Sequence, residues 1–244
     1  WGGLTVVLLA AGVLLLGAFV VAERRGAQPM IDLSLFAVPG FAAATLGAFV
    51  TGVAVIGPAS VLPTTLQRGL GESLLAATLL VLVWSALSTA TALGVRWIPG
   101  LDGRRLLVIG LGLSAVGLVA LGVLGVHADG ARLLPGLVVL GVGYGAANAA
   151  LGREAVAHVP VARAGMGSGA NNTARYLGAA VGTTLVVLIT TSTGGKASSA
   201  GLLAGWNLAA YGGAALSLLG ALAVGLLGRR VVPVPGARAG QVHA

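Results

Sequence analysis

Residues 74–95 read LLAATLLVLVWSALSTATALGV, 22 consecutive positions without a charged side chain. A helix needs roughly 20 apolar residues to cross a hydrocarbon core. Only helices and closed barrels satisfy their own backbone groups there. Six further runs of this kind lie at 4–22, 41–63, 106–126, 133–152, 166–190 and 205–227, and Arg175 is the one charge inside them. The chain therefore reads as an all-α integral membrane protein with seven transmembrane helices. Composition agrees: 57% hydrophobic, 8% charged, mean hydropathy +1.01. That excludes a soluble globular fold.

The net charge of +8 would by itself suggest a nucleic-acid partner. The charges lie in the gaps between the runs, not in one patch, so no nucleic acid is expected. The gaps after spans 1, 3, 5 and 7 hold ten basic residues: Arg24, Arg25, Arg96, Arg104, Arg105, Arg153, Arg163, Arg229, Arg230 and Arg238. The other gaps hold three, Arg68, Arg132 and Lys196. The positive-inside rule places the richer set in the cytoplasm, with the C-terminus inside and the N-terminus outside. Trp206 and Trp97, near span ends, suit interfacial aromatics. There is no cysteine, which removes disulfides and thiolate metal sites.

The chain opens Trp1-Gly2-Gly3, without Met or a basic flank. A first helix that starts outside needs something upstream to deliver it. The expectation is the C-terminal part of a larger protein, the other reading being a native seven-helix chain. Residues 1–22 form an accessory helix, 23–40 a cytoplasmic amphipathic linker, 41–228 a six-helix bundle and 229–244 a disordered cytoplasmic tail.

Four stretches carry a family resemblance. Glu23-Arg24-Arg25 precedes Pro29 and Asp32-Leu33-Ser34-Leu35-Phe36. Leu62-Pro63-x-x-Leu66-Gln67-x-x-Leu70-Gly71-x-Ser73 follows span 2. Gly103-Arg104-Arg105-Leu106 opens span 4. Ala164-Gly165-x-Gly167-Ser168-Gly169-x-Asn171-Asn172-Thr173-Ala174-Arg175-x-Leu177-Gly178-x-x-x-Gly182 fills the first half of span 6. In this order and spacing the chain resembles the C-terminal half of a fourteen-span drug:proton antiporter of the major facilitator superfamily. The resemblance implies a seven-span N-terminal half as partner, an amphipathic substrate exchanged for protons, and a bacterial plasma membrane. It assigns gating to the loop of Gly103, Arg104 and Arg105. That loop departs from the family signature Gly-x-x-x-Asp-Arg-x-Gly-Arg-Arg: its Asp slot falls on Gly100 and its following Arg slot on Leu101.

Within the spans, polar residues are sparse and ordered. At about 100° per residue, Ser168, Asn172, Arg175, Ala179 and Thr183 share one face of span 6. Arg175 either lines a cavity and meets an acidic group or substrate, or it ties helices together through carbonyls. Tyr144 and Asn148 share a face of span 5, either touching substrate or bonding across helices. Trp84, Ser88 and Thr91 share a face of span 3, and Trp84 either stacks on a substrate or packs. Gly141, Gly145 and Gly152, with Gly165/Gly169 and Gly178/Gly182, suit close helix packing. Gly57-Pro58 and Pro63 kink span 2, as a gate or as a static bend. Span 4 has Ser114 as its one polar side chain, so it is expected at the periphery, facing lipid.

No enzyme chemistry can be assembled. His127, His158 and His243 stand singly in loops or the tail, and no metal or cofactor is expected. Three functions remain: drug or antibiotic efflux by proton antiport; export of a lipid, siderophore or metabolite; or a membrane partner without transport of its own.

Overall fold

The computed structural model describes residues 3–25, 33–98, 100–193 and 198–227. Its elements are α1 (Gly3–Arg25), α2 (Pro39–Thr51), α3 (Gly57–Gly69), α4 (Leu74–Gly94), α5 (Gly103–Leu121), α6 (Leu134–Ala157), α7 (Ala164–Ser192) and α8 (Ser199–Leu227). A single π-helical turn over Gly52–Ile56 joins α2 to α3, so the two form one continuous span. Six stretches are long and apolar enough to cross a membrane, from Pro39–Gly69 to Ser199–Leu227. α1 adds a shorter apolar helix over Ala10–Glu23. The fold is an all-α membrane bundle of the expected order.

Local chemistry sets the helix ends. Pro39 and Pro135 stand in the first turns of α2 and α6, where a missing N–H costs nothing. Ser73 caps α4 by accepting from the Ala76 N–H at 3.1 Å. Asp102 caps α5 by accepting from the Arg105 N–H at 3.4 Å. Span 2 runs past its expected end at 63, because Pro63 is carried inside α3 without ending it.

Packing rests on small residues, as it must where lipid is as apolar as any side chain. Gly110 of α5 meets the backbone of Gly143 and Ala147 on α6, and Gly143 meets Gly110 in return. Gly141 and Gly145 press on the Trp84 and Ser88 carbonyls of α4. A Cβ at Gly152, Gly165 or Gly169 would meet nothing within 4 Å. Among the described residues those three glycines pack on no neighbouring helix, and each lies exposed.

Each of α5 and α8 has an inner face. Leu107, Leu111, Leu118 and Leu121 of α5 are fully buried against α6 and α8. Ser114 is buried too, its hydroxyl donating to the Gly110 carbonyl at 2.8 Å. The outward face of α5 is apolar, with Ile109, Val116 and Val119 exposed. Trp206 of α8 is 1% exposed and donates its indole N–H to the Leu121 carbonyl at 2.9 Å. It is thus no interfacial aromatic: the unpaired carbonyls at the end of α5 draw it inside. Asn207 adds a two-point clasp, accepting from the Leu124 N–H (3.0 Å) and donating to the Leu124 carbonyl (2.8 Å). Trp97 is 73% exposed, with the Arg96 guanidinium 4.8 Å from its ring centre.

The two ends of the bundle are distinct. One gathers the starts of α2, α5 and α7 and the ends of α4, α6 and α8, and with them Arg96, Arg104, Arg105, Arg153 and Arg163. Opposite it, Glu72 accepts from the Gly130 N–H at 3.0 Å and Ser199 donates to the Arg68 carbonyl at 3.2 Å. Of the linker, a short turn over Leu33–Ala37 plants Leu35 against Phe41 and Ala170. Pro29, Asp32, Lys196 and the 229–244 tail lie outside the described residues.

Candidate functional site

The site is built on the first half of α7. Gly178 and Gly182 lie one turn apart and press on the Phe49 and Val53 carbonyls of span 2. Gly52 and Gly57 press back, on Arg175–Ala179 and on Gly182. No side chain separates the two backbones at these points. This contact sets the rotation of α7 about its axis. Asn171 strengthens it from the start of the helix: it is 5% exposed and donates to the Ala44 carbonyl of α2 at 3.4 Å.

That rotation sends Arg175 towards α6. Its Nη1 donates to the Asn148 side-chain oxygen, and its Nη2 donates to Asn172 Oδ1 at 2.8 Å. The guanidinium carbon stands 5.4 Å from the Tyr176 ring centre. Its Nε is buried and has no hydrogen-bond partner. One turn before Asn148, Tyr144 meets Trp84 of α4, ring centres 5.4 Å apart and tilted by 40°. Five of the residues selected from sequence thus fall into two contact groups one turn apart on α6: Trp84 with Tyr144, and Asn148 with Arg175 and Asn172. Ser88 instead lies in the α4–α6 contact, 8% exposed, with its carbonyl against Gly145. Ser168 is half-buried near the start of α7, two turns before Arg175.

Gly57 sits in the glycine contact, and Pro58 follows it in the first turn of α3, beside Trp84 and Trp206 across a small apolar space. Gly103, Arg104 and Arg105 lie at the Arg-rich end. Arg104 Nε is 3.9 Å from Asp102 Oδ2, and Nη1 donates to the Gly225 carbonyl of α8 at 3.3 Å. A cation there suits the negative end of a helix dipole. Arg105 is exposed. A pocket of about 340 Å³ opens beside Arg104, lined also by Asp102, Glu154, His158 and Gly40.

His158 does not stand singly as its place in the sequence suggests. It follows α6 directly, its ring fills the space over Gly40, and its Nδ1 is 3.9 Å from Glu154. The signal was the four-residue spacing of Glu154 and His158, which puts them on one helix face. Asn171 was also missed as a site-positioning residue, although it adjoins Asn172 in the quoted string. Among the described residues no group of three or more His, Cys, Asp or Glu is placed to hold a metal.

Chemically the arrangement offers hydrogen-bond donors and aromatic faces. It holds a guanidinium inside a span among neutral amides and aromatic rings, with no nucleophile and base in contact.

The model described as the Major Facilitator Superfamily matches residues 1–183. The chain is 32% identical over 188 residues to the multidrug efflux pump LfrA of Mycolicibacterium smegmatis, a match covering 75% of this chain and 36% of that protein. It is 35% identical over 196 residues to the probable actinorhodin transporter of Streptomyces coelicolor, covering 75% and 33%. It is 33% identical over 228 residues to the cephamycin export protein CmcT of Amycolatopsis lactamdurans, covering 90% and 46%. The matched part spans from a third to just under half of these curated relatives, all of which are named for transport and none for catalysis. With the match running through the site helix to residue 183, the chain belongs to the Major Facilitator Superfamily.

Proposed function

We propose that this chain is the C-terminal transport unit of a proton-coupled exporter of drugs or antibiotics in the bacterial plasma membrane. The Arg-rich end of the bundle is cytoplasmic, and so is the C-terminus. The observation that carries the reading is the Arg175–Asn148 bond. The bond holds a half-buried cation between α6 and α7, on a helix seated by bare backbone contact. A charge within a membrane-spanning helix is costly, which supports a role for it in the transport path. The names of the relatives, multidrug efflux pump and antibiotic exporters, support the cargo class.

Proton coupling is assigned to the rest of the protein. Of the described carboxylates, Glu23, Glu72, Asp102, Asp129 and Glu154 all lie at helix ends or in loops. Alternating access further needs a second bundle to rock against. A substrate-panel efflux assay on the complete protein tests this, with and without a protonophore. Gradient-dependent efflux of several amphipathic compounds supports the proposal. Efflux of one metabolite or lipid alone changes the cargo. No transport at all favours a membrane partner.

A further inference from the structure

Among the described residues, the partners of the Arg175 cation are all neutral. Nη1 and Nη2 bond to the amide oxygens of Asn148 and Asn172, and a Tyr176 ring faces the guanidinium. The Nε–H is buried and makes no bond. Four of the described carboxylates are engaged elsewhere: Asp102 faces Arg104, Glu154 faces His158, Glu72 accepts from Gly130 and Asp129 caps its own turn.

The unused edge has a defined chemistry. A carboxylate binds a guanidinium side-on, taking two parallel N–H bonds from Nε and a terminal nitrogen. In Arg175 the Nε–H of that edge is buried without a bond, and the neighbouring Nη2 is held by Asn172, which is exposed. A group arriving from the Asn172 side displaces one exposed amide and gains both donors. The two amide oxygens meanwhile hold the guanidinium in place while it waits. Tyr176 and Tyr144 supply apolar faces beside the charge.

We infer that Arg175 is the receiving site for a carboxylate carried on an apolar or aromatic body. This inference rests on the transport reading for one of its two sources, a carboxylate on the cargo. The other source is an acidic side chain from the remainder of the protein.

The test uses the complete protein, purified in nanodiscs, and a matched pair of dyes. Fluorescein carries a free carboxylate; rhodamine 6G has the same tricyclic scaffold with that carboxylate esterified and a positive charge. Binding is read by fluorescence polarisation, and thermal melting is read in parallel without dye. A bidentate charged bond is worth about a tenfold change in affinity or more. For a cargo carboxylate, Arg175→Gln weakens fluorescein binding by that factor, leaves rhodamine 6G unchanged and melts normally, while Arg175→Lys loses less. For a protein carboxylate, Arg175→Gln melts lower at near-normal abundance, and selecting for restored transport returns neutralised acidic residues. An Arg175→Gln protein that matches wild type in melting and in both dyes overturns the inference. So does equal loss of both dyes at normal melting. If wild type binds fluorescein through Arg175 but moves nothing in the efflux panel, the transport reading fails and the carboxylate site stands.

Discussion

Gly57 of α3 and Gly182 of α7 meet backbone to backbone: a Cβ on Gly57 would stand 2.5 Å from the Gly182 carbonyl carbon. Gly52 makes the matching contact with Gly178. Gly178 and Gly182 are four residues apart and naturally share a helix face. Gly52 and Gly57 are five apart, which an α-helix would rotate about 140° out of line. The π-turn over Gly52–Ile56 takes up the extra residue and brings both glycines to the same side.

Bulk at this contact should therefore unseat α7. Gly182→Val and Gly57→Val are each expected to cost about 1–3 kcal/mol, the usual penalty of overpacking a close contact. Thermal melting of the purified protein measures it. Gly169→Ala serves as the control, because a Cβ there meets nothing within 4 Å. Equal melting of all three would refute the contact.

The Asn207 clasp gives an independent stability prediction. Replacing Asn207 by Leu keeps the bulk but strips partners from both the Leu124 N–H and the Leu124 carbonyl. Leaving such groups unpaired costs roughly 1–3 kcal/mol. The expected result is a lower melting temperature with transport per folded molecule unchanged. An unshifted melting curve would show that the clasp contributes nothing.

Sidedness is open to direct test, because the chain has no native cysteine. Arg105→Cys and Arg132→Cys place single thiols at exposed positions on opposite ends of the bundle. A membrane-impermeant maleimide added to intact cells should label position 132 and spare position 105 until the cells are opened. The reverse pattern would invert the proposed orientation.

Spans 2–7 are legible because an apolar run of about 20 residues has few other uses. Their surroundings were less so. The spacing of Gly165 and Gly169 matches that of Gly178 and Gly182, yet only the second pair touches a neighbour. A small-residue repeat records which glycines share a face, not which face meets another helix. Trp206 stands near a span end, as interfacial aromatics do, but an unpaired carbonyl on α5 claims its indole N–H. That partner is 85 residues away in sequence. The π-turn left no mark that periodicity would register. Arg175 stood out at once as the one charge inside a span. Its pairing with Asn148 required knowing how α7 is rotated, which the glycine contact with span 2 decides.

The central claim is that Arg175 works in transport instead of merely holding α6 to α7. Efflux of a substrate by the complete protein, normalised to its abundance in the membrane, tests that claim directly in the Arg175→Ala variant. The account predicts that efflux falls about tenfold or more, since a hydrogen bond to a charged group contributes roughly 1.5–3 kcal/mol, while abundance stays near wild type. Arg175→Lys should recover part of the activity, because the charge returns without the planar fork. Wild-type efflux in Arg175→Ala, or abundance collapsing in step with activity, would contradict it.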